Sequence, residues 1–282
     1  MKSWLRDYFN SFKVKGEFWY VFCFNAIFFS VIGLLGYWFV ETVKIRSEVL
    51  MQGKTPEQLQ AFFASSTPEQ MLPFLEQLKA FLLFFVIIGI LLLLLGFLGY
   101  SLLQAFSWNY LLKRKLSKNN YWKWNVLQLV LIIPLGLYWL MAFLIMVIVK
   151  GMVQFLFNLN SWVSVNFANG IDNFLIILNS VLIFIFVVLF VLILYAIYYL
   201  FTKDYQVWSS MGNAFHILKL KIKLFRKSFL SGLVTLMVLE LLMTPVRNGF
   251  INSTILLVMD IFIFLVFLVW LQIYFVREMQ AD

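Results

Sequence analysis

Two acids, Glu240 and Asp260, stand inside long apolar runs of this 282-residue chain, and no other residues are better placed to do chemistry. A charge at the centre of a membrane helix costs about 2.5 to 3.5 kcal/mol even on the gentler insertion scales, so such groups face protein or water and pair with a counter-charge. Arg247 follows Glu240 by seven residues, on the same helical face, and is the expected partner. At a rise of about 1.5 Å per residue the acids lie roughly 9 and 12 Å below the outer ends of two consecutive helices. Two readings follow. In the first the acids form a proton or cation site, which needs both beside a water-accessible cavity with Gln272 or Asn179 close by. In the second they are paired carboxyls that lock a hairpin.

Other chemistry has little to work with. The single Cys23 provides no disulfide framework, and it and the lone His216 provide no Cys or multi-His metal centre, so no metal or other cofactor is expected. No nucleophile elbow, Walker loop, HExxH or kinase set is present, and no catalytic residue is assigned. An intramembrane lipid-modifying enzyme would have only His216 and Asp204 on the inner side.

The elements that must position these residues follow from composition. The chain is 63% apolar and 12% charged, where a soluble domain carries about 25% charged residues. Apolar runs near 18–40, 80–103, 124–149, 173–201, 229–246 and 254–276 predict an all-α polytopic membrane protein, one membrane domain over 1–282 with six transmembrane helices. The first run is long and lacks a small-residue cleavage site, so it reads as a retained span. Too few residues remain for a separate soluble catalytic module. Of the 22 Lys and Arg, sixteen fall in the segments on the side of the N-terminus and six on the other, which predicts cytoplasmic N- and C-termini. A net charge of +9 concentrated on one face suits anionic inner-leaflet lipid rather than nucleic acid.

The basic segments carry their own pattern. Over 205–228, Trp208, Met211, Phe215, Leu218, Ile222 and Phe225 recur at helical spacing, while His216, Lys219, Lys223 and Arg226, with Lys227 beside them, run along another face. The pattern predicts an amphipathic interfacial helix whose basic residues contact lipid headgroups. Leu5, Tyr8, Phe9 and Phe12 suggest a similar helix ahead of the first span. The triplets NSF (10–12), QAF (104–106) and NAF (213–215) each precede an odd-numbered span, about 100 residues apart. That spacing allows a threefold hairpin repeat, but the simpler reading is that any hairpin starting from the cytoplasmic face gathers basic and aromatic residues at that interface.

Between the first two spans TPEQ occurs twice, at 55–58 and 67–70, each a capping-box start with Pro at the first helical position, so 41–79 is expected to form an outer helical cap. An uncharged interfacial helix is expected over 151–171, and Pro134 should kink the third span because it removes a backbone donor.

The six-span plan, with amphipathic lead-ins such as 207–229 in which NAF is followed by lysines, resembles uncharacterised prokaryotic, especially archaeal, polytopic proteins related in outline to the membrane domain fused to some glycerophosphodiester phosphodiesterases. The likeness implies a cytoplasmic-membrane protein of a prokaryote. The phosphodiesterase domain has no counterpart, so no catalytic residue carries over. The function expected first is a non-enzymatic accessory or scaffold at the lipid interface, with anionic lipid and protein partners or further copies of itself. A small transporter or channel using Glu240 and Asp260 is the alternative, and the lipid-modifying enzyme the third.

Overall fold

The computed structural model describes residues 8–9, 11–12, 16–51, 53–159, 166–249 and 253–280. Among these residues it contains eight helices and no strand: α1 (Gly16–Met51), α2 (Pro56–Ser65), α3 (Pro68–Leu111), α4 (Lys118–Leu159), α5 (Asn166–Asp204), α6 (Val207–Leu220), α7 (Ile222–Gly249) and α8 (Ser253–Gln280). Six of them, α1, α3, α4, α5, α7 and α8, are long and apolar enough to cross a membrane, and the chain is an all-α polytopic membrane protein. Most of these helices outrun the apolar stretches that announce them. Hydrocarbon offers the backbone no partner, so a helix continues until a turn satisfies its last carbonyls. At the end of α3, Lys113 takes a left-handed φ of 53° while the Arg114 amide bonds the Asn109 carbonyl at 2.8 Å, which closes the helix without a glycine.

The chain divides into two compact units. In the unit Phe24–Leu103, α1 and α3 meet through Phe39 and Phe85, with ring centroids 5.7 Å apart, and the Arg46 guanidinium lies 3.9 Å over the Phe84 ring. Gly99 admits the edge of Phe28, since a Cβ there would stand 2.7 Å from Phe28 Cε2. The first TPEQ forms its capping box: the Gln58 amide donates to Thr55 Oγ1 and the Thr55 amide to Gln58 Oε1. The second behaves differently from the expected cap. Pro68 opens a helix that runs on through Pro73 into the second span, so 41–79 holds one short helix, α2, between two long ones. Pro73 removes one backbone bond near the polar start of α3, and the 44-residue helix absorbs the loss.

In the unit of Met1–Cys23 with Gln104–Asp282, α5 is the hub, packed against α4, α6, α7 and α8. Its buried residues include Val188, Leu192, Tyr195, Ala196, Tyr198 and Phe201. Tyr198 packs against Trp108 and Trp124 and donates to Gln128 Oε1 at 3.0 Å. Tyr195 donates to the Leu268 carbonyl and Tyr199 to that of Met279, so each phenol bridges α5 to α8 while its ring fills the core. Gly232 lets α7 approach both neighbours, for a Cβ there would lie 3.1 Å from Val188 and 3.3 Å from Leu271.

Other expectations meet a different arrangement. Of the N-terminal stripe, Tyr8 is buried and shares a 2.8 Å hydrogen bond with Thr235, while Phe12 stacks on Trp270, whose indole donates to Ser11 Oγ. This segment therefore packs on α7 and α8; Leu5 lies outside the described residues. Over 151–171, α4 runs on to Leu159 and α5 opens at Asn166, so the first part of the expected interfacial helix is the last two turns of α4. Of its remainder, 160–165 lies outside the described residues and 166–171 is the start of α5. The QAF triplet sits within α3, whereas NAF sits in the separate α6, so these two do not share a local setting.

Candidate functional site

Glu240 and Arg247 project from α7 and Asp260 from α8. Helical side chains lean toward the N-terminus, so the guanidinium in the last turn of α7 reaches back along its own face toward Glu240. Arg247 Nη1 donates to Glu240 Oε1 and Nη2 to Oε2 at 3.2 Å, a two-pronged grip. The same guanidinium donates from Nη2 to Asp260 Oδ1 at 2.9 Å and from Nε to that oxygen at 3.3 Å. One Arg thus ties both acids together and joins the two helices of the hairpin.

The chain supports this locally in two ways. Pro245, inside α7, has no N–H to offer the Leu241 carbonyl four residues back, and the positive Arg247 sits at the negative end of the helix dipole. Thr244 adds a bond of 2.9 Å from its hydroxyl to the Glu240 carbonyl. The three charged groups line a cavity of about 290 Å³ between α5, α7 and α8, walled otherwise by apolar residues that include Phe184, Val187, Met243 and Phe264. Their side chains are 36 to 40% exposed, so the cluster opens at the surface of the chain and is not a sealed ion pair. With all three groups ionised it carries one net negative charge.

The other polar span residues do not converge there. Neither Gln272 nor Asn179 lines the cavity, so that part of the arrangement expected of a proton or cation site is not met, and among the described residues the two acids stand there without an amide beside them. Gln128 serves Tyr198, Thr235 serves Tyr8, and Ser180 bonds the Ile176 carbonyl of its own helix. Gln272 is buried, and its Nε2 has no partner among the described residues.

The segment 205–228, expected as one helix, is divided between two. α6 ends at Leu220, Lys221 forms a one-residue break, and α7 begins at Ile222. α6 packs on the protein through Ser210 and Ala214, leaving Trp208 and Phe215 of its aromatic stripe exposed. His216, Lys219, Lys223 and Arg226 are exposed as well. Lys227 is not: it is held by Glu278 of α8 at 2.9 Å. His216 and Asp204 are both exposed and share no hydrogen bond or ion pair.

No protein-family model, curated protein or solved structure matches this chain. Its function has to be argued from its own geometry.

Three parts of the site were not singled out from sequence. The α5 wall of the cavity, from Ile183 to Val187, is an unmarked apolar stretch. The seat of α6 on Ser210 and Ala214 left a weak signal, small residues four apart on one face. The joint that fixes the start of α6 pairs Tyr205, at a left-handed φ of 52°, with Asn109, whose Oδ1 accepts from the phenol. Asn109 also donates to the Ala105 carbonyl at 2.7 Å, which aims its amide. Burial pushes the Tyr205 phenol above its ordinary value, and the bonds to Asn109 and Asn120 oppose that shift.

Proposed function

We propose that this is a small, non-enzymatic membrane carrier whose cavity between α5, α7 and α8 takes up one proton or one monovalent cation at the Glu240–Arg247–Asp260 cluster. The observation that carries the proposal is the bridging guanidinium on the cavity wall: two acids share one base, which leaves a single charge to be neutralised. A hairpin lock alone would need only one acid for one Arg. The distribution of Lys and Arg supports an orientation with both termini in the cytoplasm, so that the site opens toward the outer leaflet of a prokaryotic cell membrane. The cavity has room for several waters, each about 30 Å³ of liquid, beside the bound ion. The test is flux in proteoliposomes carrying a pH or cation gradient. Wild type should dissipate the gradient and Glu240→Gln should not, with expression and melting temperature near wild type. Wild-type flux that survives this substitution would reject the site.

A lipid-interface accessory role is the second reading, favoured by the exposed aromatic and basic residues of α6 and the start of α7.

A further inference from the structure

The carrier reading leaves unused the surface around α6. Phe215 and Met211 overhang an apolar cleft of about 160 Å³, whose other walls include Leu131 and Pro134 of α4 and Phe190 and Ile193 of α5. Immediately beside this cleft, His216 follows Phe215 in sequence and Lys219 lies one turn further along α6, with Lys223 and Arg226 continuing on α7. From Val207 to Phe229 there is no Asp or Glu, so nothing on this stretch neutralises the basic residues. Glu278, from α8, takes up Lys227, while His216, Lys219, Lys223 and Arg226 are exposed. α6 cannot simply roll its aromatic face onto the protein, since Ser210 and Ala214 already occupy the packed face and Tyr205 is fastened to Asn109 at its start.

We propose that this surface seats an anionic phospholipid, with the headgroup phosphate on His216, Lys219, Lys223 and Arg226 and an acyl chain in the cleft under Met211 and Phe215. An apolar slot opening beside an uncompensated basic stripe matches the two ends of such a molecule. Small solutes would use only one of the two. Attraction of a basic side chain to an anionic bilayer surface is worth a factor of about five per residue. This inference is independent of the cation site, which lies on the other part of the α7–α8 hairpin.

The test uses the full-length protein, purified with equimolar phosphatidylglycerol and phosphatidylcholine, and counts retained lipids by native mass spectrometry. Wild type should keep phosphatidylglycerol in preference. The triple variant Lys219→Gln, Lys223→Gln, Arg226→Gln should lose that preference by about fivefold for each charge removed, while Lys227→Gln keeps it. Filling the cleft, by Ile193→Phe or separately by Met211→Phe, should lower retention of both lipids. Equal retention of the two lipids by wild type, or a triple variant with wild-type preference, would overturn the headgroup site. Wild-type retention in both cleft variants would overturn the acyl seat.

Discussion

Arg247 reaches back two turns along α7 and holds both carboxylate oxygens of Glu240, while the same guanidinium bonds Asp260 on the facing helix. This arrangement separates the roles of the three residues. The Arg is structural for either acid, whereas each acid alone is sufficient to neutralise the Arg.

Removing the Arg should therefore be worse than removing either acid. Arg247→Met leaves two carboxylates facing one another across the hairpin, and thermal unfolding in detergent should show a loss of about 1 to 3 kcal/mol. That is less than the cost of breaking a fully buried pair, because the side chains are partly exposed. Glu240→Gln keeps a hydrogen-bonding amide and should change stability by no more than about 1 kcal/mol. Equal destabilisation by both substitutions would contradict this division.

Tyr205→Phe deletes the phenol that fastens the start of α6 to Asn109, and should cost about 1 kcal/mol of stability near neutral pH. The pH dependence has a definite sign. Burial raises the Tyr205 phenol, so the folded state holds its proton more tightly than the unfolded chain does. The resulting stabilisation is complete below the unfolded value near 10 and declines as pH rises through the folded value. The Phe variant should lack this part of the alkaline decline, which parallel melts from neutral to alkaline pH will show or refute.

Gly232→Val would place a branched side chain against Val188 and Leu271, where even a Cβ is crowded. Overpacking at such a contact costs about 1 to 3 kcal/mol, and the loss should be read as a lower melting temperature. Gly136, with open space around its Cβ position, is the control: Gly136→Ala should be neutral or slightly stabilising.

The two neighbouring lysines at the start of α7 should part company. Lys227→Gln breaks its bond to Glu278 and should lower stability by about 1 kcal/mol, whereas Lys223→Gln, fully outside the packing, should leave it unchanged within about 0.5 kcal/mol. A stability scan of the two variants in the same detergent decides.

Six apolar runs, two acids within them and one Arg at helical spacing were legible because each rests on a local rule: span length, the cost of a buried charge, and the helical repeat. The Asp260 contact could be anticipated only as similar depth on the next helix, and the structure turned that into a shared guanidinium. What stayed hidden depends on distant partners. Lys227 looks like its neighbours Lys223 and Arg226, and only Glu278, 51 residues on, distinguishes it. Tyr8 looked like part of a lipid-facing stripe until Thr235, 227 residues away, offered a hydroxyl. The second TPEQ carried a sound helix-start signal, but nothing nearby told where that helix would stop.

The most direct measurement of the central claim is flux down a pH or monovalent-cation gradient in proteoliposomes, comparing wild type with Glu240→Gln and Asp260→Asn. If both acids are needed to take up the ion beside Arg247, wild type dissipates the gradient and each variant, left with one acid to balance the guanidinium, does so at a small fraction of the wild-type rate. Wild-type protein that carries neither protons nor monovalent cations, or flux that persists undiminished in both variants, would contradict the account.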